Sequence, residues 1–256
     1  MPTELPADLP ADVPTTSPTQ WPTEPPGESP SRADLSALAQ QLGQFVLTYK
    51  FGLDEMLTKI NILREDLAFR GEGNPIEHVS SRVKSIDSIR AKAVRIGCPL
   101  RLDAIAAEVV DIAGIRIVCS FISDAYRVLD MLTGQPDVTV VRIKDYIANP
   151  KANGYRSLHA IVEIPVFLSD EVRRVPVELQ IRTVAMDFWA SVEHKIYYKY
   201  DQEIPAALVE ELSAAARVAH ELDARMGELH RTVHGDPPGT TTRPRPRGDG
   251  TAPVVG

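Results

Sequence analysis

Two acids stand where a hard cation could be held. Asp111 lies in "VVDIAGIRIV", at the mouth of a β-branched run, and Glu178 lies in "VPVELQIRT", inside one. Either alone also fits an ordinary strand-edge acid facing solvent. On neighbouring strands they would supply the one or two carboxylates that Mg²⁺ takes, leaving its other positions to water and phosphate oxygens. Cations gather around them: Arg82, Lys84 and Lys92 in "SRVKSIDSIRAK", Arg116 two residues after Gly114, then Lys144, Lys151, Arg156 and Arg182. A charged surface accounts for most lysines and arginines. Arg116 and Arg182, however, interrupt apolar strand sequence, where an unpaired charge is costly. A polyphosphate offers several oxygens to such guanidinium groups, and arginine can also lie flat on a purine. The sequence has no GxxxxGK[ST] segment, so a nucleotide here would be held without a P-loop.

The third feature is "KANGYRSLH", residues 151–159. Asn153-Gly154 allows a turn with positive φ and a close approach of backbone to a ligand. Tyr155 and His159, four residues apart, are expected on one face of a single strand. There the tyrosine could stack on a base and the histidine reach phosphate or sugar. A core tyrosine beside a hairpin turn is the plainer alternative.

The elements that must position these groups follow from periodicity. Residues 35–70 have helical spacing of apolar residues, as two helices or as one interrupted near Gly52. Residues 76–84 read as an extended piece, and 85–97 as a helix stopped by Gly97. A strand over 114–121 leads to a helix capped by Ser123 or Asp124 and stopped by Gly134. Strands over 137–147, 155–164 and 173–183 follow, then helices over about 184–200 and 205–230. The pattern is α+β, a mixed sheet with helices packed on it, because strands and helices do not alternate strictly.

Composition bounds the rest. The chain has 256 residues and a formal net charge of −7. Residues 1–34 are Pro-rich, with proline at every fourth position from Pro2 to Pro30, and are expected to form a disordered tail. Residues 233–256 form a second, Pro/Gly/Arg-rich tail, leaving 35–232 as one domain. No apolar run reaches the ~20 residues of a membrane helix, and no secretory signal opens the chain. Cys98 and Cys119 are too few for a disulfide framework or a zinc site, and read as reduced thiols of a cytoplasmic protein.

Five segments in order, "RVKSIDSI", "DIAGIRIVC", "KDYIANPKANGYRSLH", "VELQIRTVAMDFWASVEHKIYYKY" and "ELDARM", resemble the RelA/SpoT family of nucleotidyltransferases, and more narrowly its single-domain small alarmone synthetases. The resemblance runs over about 75–227. It implies a polymerase-β-like core and transfer of pyrophosphate from ATP to the 3′-hydroxyl of GDP or GTP, with release of AMP. It also implies Mg²⁺ as cofactor, a homotetramer, and single-stranded RNA as a candidate regulator, with no role for DNA or membrane. Position by position, Asp111 and Glu178 match the metal-binding acids, Glu178 also the acceptor of the attacking hydroxyl's proton. Arg82 and Arg116 match the adenine-sandwiching pair, and Lys84 and Lys92 the residues on ATP phosphates. Tyr155 matches the guanine-stacking position. Lys144, Lys151, Asn153, His159, Gln180 and Arg182 match positions around the acceptor nucleotide.

Two departures concern activation by product. His78 stands where activated relatives carry an aromatic residue, and Asp187 where asparagine is frequent. An acid facing an activator's phosphates would repel it, so weak or absent activation by pppGpp is expected. The absence of an HDxxxD motif leads to the expectation of synthesis without hydrolysis. Rival readings are transfer to adenine nucleotides or tRNA on the same fold, and a non-catalytic nucleotide- or RNA-binding module.

Overall fold

A computed structural model describes residues 31–71, 73–198 and 205–235. Of the tails expected over 1–34 and 233–256, residues 1–30 and 236–256 lie outside the described residues, while 32–34 belong to the first helix and 233–234 to the last. The chain divides into two units, one ending at Leu42 and one beginning at Gly43. The described part of the first, 31–42, contains the opening turns of the first helix, and the second holds everything that follows.

Helix α1 runs from Arg32 to Phe69 without a break, so the expected interruption at Gly52 is absent. Glycine is there for packing. A Cβ at Gly52 would lie 2.5 Å from Cγ1 of Val175, so its absence lets the helix close on the sheet. After α1 come β1 (Ile76–Val83), α2 (Ile86–Arg95), α3 (Leu102–Glu108), β2 (Ala113–Cys119) and α4 (Ile122–Thr133). Strands β3 (Thr139–Asp145), β4 (Leu158–Phe167) and β5 (Val172–Thr183) follow, then α5 (Val184–Tyr198) and α6 (Ala206–His234). Helix α3, at seven residues, is too short for hydrophobic periodicity to announce it.

Gly97 stops α2 with φ of 72°, and Gly134 caps α4 as expected. The start of α4 differs from expectation. Phe121 is the N-cap, and Asp124 reaches back so that its carboxylate accepts a hydrogen bond from the Phe121 amide. The acid therefore works from the third helical position and not from the cap.

The five strands form one mixed sheet in the order β1-β2-β5-β4-β3. Only β2 and β5 pair in parallel. One face is the main core, with Ile115 and Ile117 of β2, Ala160 and Val162 of β4, and Leu179 and Ile181 of β5 packed with Met56 and Ile60 of α1 and Val128 and Leu132 of α4. Alternation then puts the intervening residues on the other face. Register aligns them across the strands: Ser80, Arg116, Gln180, His159 and Lys144 form one row, and Arg82, Gly114 and Glu178 another. The polar side chains gathered here are a consequence of period-two patterning on a sheet with one apolar face.

Helices α5 and α6 enclose a smaller core of Trp189, Ala190, Leu212 and Ala216, against which Tyr155 packs. The Trp189 indole donates to the Leu212 carbonyl at 2.9 Å. The Thr183 hydroxyl donates to Asp223 at 2.6 Å and accepts from the Met186 amide at 3.1 Å, tying α6 to the first turn of α5. Among the described residues, no helix is long and apolar enough to cross a membrane.

Candidate active site

The polar face opens into a cleft of about 420 Å³ lined by Arg82, Arg116, Tyr155, Gln180, Arg182 and residues of α5. Its size lies in the range of small-ligand pockets. Asp111 lies just before β2, and Glu178 in the middle of the adjacent strand β5.

Asp111 has two different oxygens. Oδ2 is 2.5 Å from Nζ of both Lys84 and Lys92. Oδ1 is buried and has no hydrogen-bond partner among the described residues. Burial alone would raise the Asp111 pKa, but the two ammonium groups outweigh it and hold the carboxyl below its ordinary value. An ionised, buried oxygen without a donor fits a hard cation. Asp111 and Glu178 are the residues that could hold one. Their carboxylates are close enough that Asp111 acts to raise the Glu178 pKa.

Glu178 belongs to a closed ring of contacts. Its Oε1 is 3.4 Å from Nδ1 of His159. His159 Nε2 is 2.7 Å from the Tyr155 hydroxyl, which accepts from Arg182 at 2.6 Å. Arg182 also donates to Gln180 Oε1 at 3.3 Å, and Gln180 Nε2 donates back to Glu178 Oε2 at 3.0 Å. One assignment of protons satisfies every contact: tyrosine donates to Nε2, and Nδ1–H faces the glutamate. Burial pushes the Glu178 pKa up, but the contacts with His159 and Gln180 bring it below its ordinary value overall. The carboxylate is therefore ionised at neutral pH.

Tyr155 and His159 do meet, but not as two residues of one strand. Strand β4 begins only at Leu158, so Tyr155 lies in the preceding loop and its hydroxyl comes to the histidine from there. Three local devices shape the loop. The Asn153 side chain accepts from the Tyr155 amide at 3.2 Å and donates to Glu193 of α5 at 3.1 Å. Lys151 Nζ sits 4.6 Å from the Tyr155 ring centroid and 4.9 Å from that of Tyr146. Arg156 turns away from the cleft and donates to the Ile147 carbonyl.

Gly154 has φ of 86°, and a Cβ there would lie 2.5 Å from the Ala216 Cβ. Both the backbone conformation and the contact with α6 exclude a side chain. Gly154→Ala is expected to destabilise the fold by about 2–3 kcal/mol. Because Tyr155 is the next residue, the KM for an acceptor nucleotide should rise several-fold more than that for ATP. Thermal melting and substrate titrations test this, and an unshifted melt with both KM values unchanged would refute it.

The thirteen positions that the resemblance matches to the family's site lie on or beside this face, whereas Arg156 does not. Lys84 and Lys92 hold Asp111. Arg82 and Arg116 line the cleft, and Lys144 pairs in register with His159. Asp187, which the sequence sets against an activator, has its Oδ1 3.3 Å from Arg116 and 3.2 Å from Arg182, two residues that line the cleft. Glu193, Ser157 and Tyr146 also contribute, and no local spacing signals them: Asn153 and Glu193, for instance, are 40 residues apart.

Comparison with known proteins supplies independent information. The family described as "Region found in RelA / SpoT proteins" matches residues 81–203. GTP pyrophosphokinase YwaC of Bacillus subtilis (strain 168) is 49% identical over 200 residues, covering 78% of this chain and 95% of that protein. Small alarmone synthetase 1 from Bacillus subtilis, solved with its product pppGpp, superposes with a TM-score of 0.70 at 39% identity, covering 76% of this chain and 98% of that one. The same synthetase bound to AMPCPP gives a TM-score of 0.65 at 35% identity over 77% of this chain and all of that one.

Proposed function

This chain belongs to the RelA/SpoT family and matches small alarmone synthetases over nearly their whole length, and from that premise we propose that it transfers pyrophosphate from ATP to the 3′-hydroxyl of GDP or GTP, forming ppGpp or pppGpp and AMP. The observation that carries the proposal is Asp111, with one oxygen held by two lysines and the other buried and without a hydrogen-bond partner among the described residues, next to the strand that bears Glu178. A non-catalytic binding module has no need of such a carboxylate pair.

In the reaction the acceptor's 3′-oxygen forms a bond to the β-phosphorus of ATP while the bond from that phosphorus to the oxygen bridging it to the α-phosphate breaks. Glu178, ionised at neutral pH, takes the proton of the attacking hydroxyl. Arg82 and Arg116 hold the adenine between them, and Lys84 and Lys92 stabilise negative charge on the ATP phosphates and on departing AMP. Tyr155, backed by Trp189 and braced by Arg182, presents its ring to guanine. Lys144, Lys151, Asn153, His159, Gln180 and Arg182 surround the acceptor. Mg²⁺, held by Asp111 and Glu178, would neutralise charge on the donor phosphates when bound.

Assembly into a homotetramer in the cytoplasm is part of this reading. Its support is an exposed apolar stripe on α6, Val218, Leu222, Met226, Leu229 and Val233, spaced three or four residues apart as a helix-pairing seam requires. A second copy is the occupant we assign to it. Leu222→Glu with Met226→Glu should halve or quarter the mass found by light scattering, and an unchanged mass would remove the stripe from the interface.

The central test is incubation of purified protein with ATP, Mg²⁺ and GDP or GTP, followed by anion-exchange separation. The expected result is AMP in equal amount to a new, more anionic guanosine product. AMP formation only with adenine nucleotides or tRNA as acceptor would overturn the guanine assignment, and no transfer to any acceptor would overturn the enzyme.

A further inference from the structure

One oxygen of Asp187 serves two arginines on adjacent strands: Oδ1 is 3.3 Å from Arg116 on β2 and 3.2 Å from Arg182 on β5. The two differ in freedom. The Arg182 side chain is only 6% exposed and is also hydrogen-bonded to Ser157, Gln180 and the Tyr155 hydroxyl. Arg116 is 37% exposed, and its buried Nε has no hydrogen-bond partner among the described residues. Arg116 can therefore move at small cost, whereas Arg182 is anchored.

We infer that Asp187 couples the donor and acceptor halves of the cleft, because a donor nucleotide that draws Arg116 away leaves the carboxylate to Arg182 alone. The inference rests on the proposed function, which sets Arg116 against ATP and Arg182 and Tyr155 against the guanine nucleotide. A carboxylate relieved of one partner pairs more strongly with the other, and a guanidinium fork can then engage both of its oxygens. Arg182 holds the Tyr155 hydroxyl at 2.6 Å, so a steadier Arg182 orders the tyrosine before guanine arrives. Ordering completed by the first ligand is not charged to the second, which gives positive coupling. By linkage the effect is reciprocal: each nucleotide tightens the other by the same factor.

Asp187 is a positioning residue in this scheme, since it touches neither nucleotide. Its signature is a ratio of affinities and not an affinity. The test uses AMPCPP, whose methylene bridge blocks transfer, and GDP, each titrated by calorimetry alone and with the other saturating. In the wild type, AMPCPP is expected to lower the Kd of GDP about fivefold or more, and GDP that of AMPCPP by the same factor. In Asp187→Asn each nucleotide still binds singly and the factor falls to about one, while Asp187→Glu retains part of it. Asp187→Ser serves if the amide variant does not fold. The inference is overturned if both nucleotides bind and the factor is the same in wild type and variant, or is one in both. Failure of either nucleotide to bind the wild type would overturn the proposed function itself, a result distinct from loss of coupling.

Discussion

Glu178→Gln should lower kcat by about 10³-fold, within the range associated with removing a positioned general base, while AMPCPP and GDP still bind. The substitution keeps the size of the side chain and its place on β5. It removes the charge that the site is built to preserve. His159 and Gln180 each contact one of the carboxylate oxygens, and their effect exceeds the burial that would protonate it. The wild-type pH–rate profile should therefore have no acid limb due to Glu178 above the ordinary glutamate range of about 4 to 5. An amide cannot take the proton of the attacking hydroxyl and is a poor ligand for a hard cation, so loss of rate without loss of nucleotide binding is the diagnostic pair. A Glu178→Gln enzyme within tenfold of wild-type kcat would remove Glu178 from the chemistry.

Much of this site is legible in the sequence, and what is not has a common cause. Strands β2 and β5 are dense in β-branched residues, and their polar interruptions, Arg116, Glu178, Gln180 and Arg182, fall on one alternation. Period-two patterning alone places them on a shared face. The glycine stops at 97 and 134 are equally readable, because a helix end is a local signal, although of the two Gly97 alone has positive φ. Contacts between distant segments are another matter. Nothing local to Asp187 signals its partners, and only the parallel pairing of β2 with β5, with α5 starting directly after β5, brings Arg116 and Arg182 to the same oxygen. Gly52 looked like a helix break because propensity counts against glycine. Its packing against Val175 outweighs the propensity. Tyr155 was expected on a strand since its spacing to His159 allowed it. The Asx turn of Asn153 and the contact of Gly154 with α6 keep it in the loop while still delivering its hydroxyl to the histidine.

Asp111→Asn is expected to have a comparably large effect, on rate and on stability together. The aspartate performs two tasks with two oxygens: Oδ2 neutralises Lys84 and Lys92, and Oδ1 is left free for a cation. Asparagine can perform only one. With its carbonyl toward the lysines, the amide N–H groups point where a cation would sit; turned over, they point at two ammonium groups. Activity should fall by about 10²–10³-fold with a higher Mg²⁺ requirement, and folding stability at neutral pH by about 2 kcal/mol. The stability term has a definite pH dependence. The Asp111 pKa is lowered in the folded chain, so its contribution is present above the ordinary aspartate value near 4 and is lost as pH falls through the lowered folded value. Urea unfolding of wild type and variant should thus differ most at neutral pH and converge in acid. Curves that stay parallel down to the acid limit would mean that Asp111 stabilises by shape and not by charge, and a variant with full activity would mean that its free oxygen holds nothing.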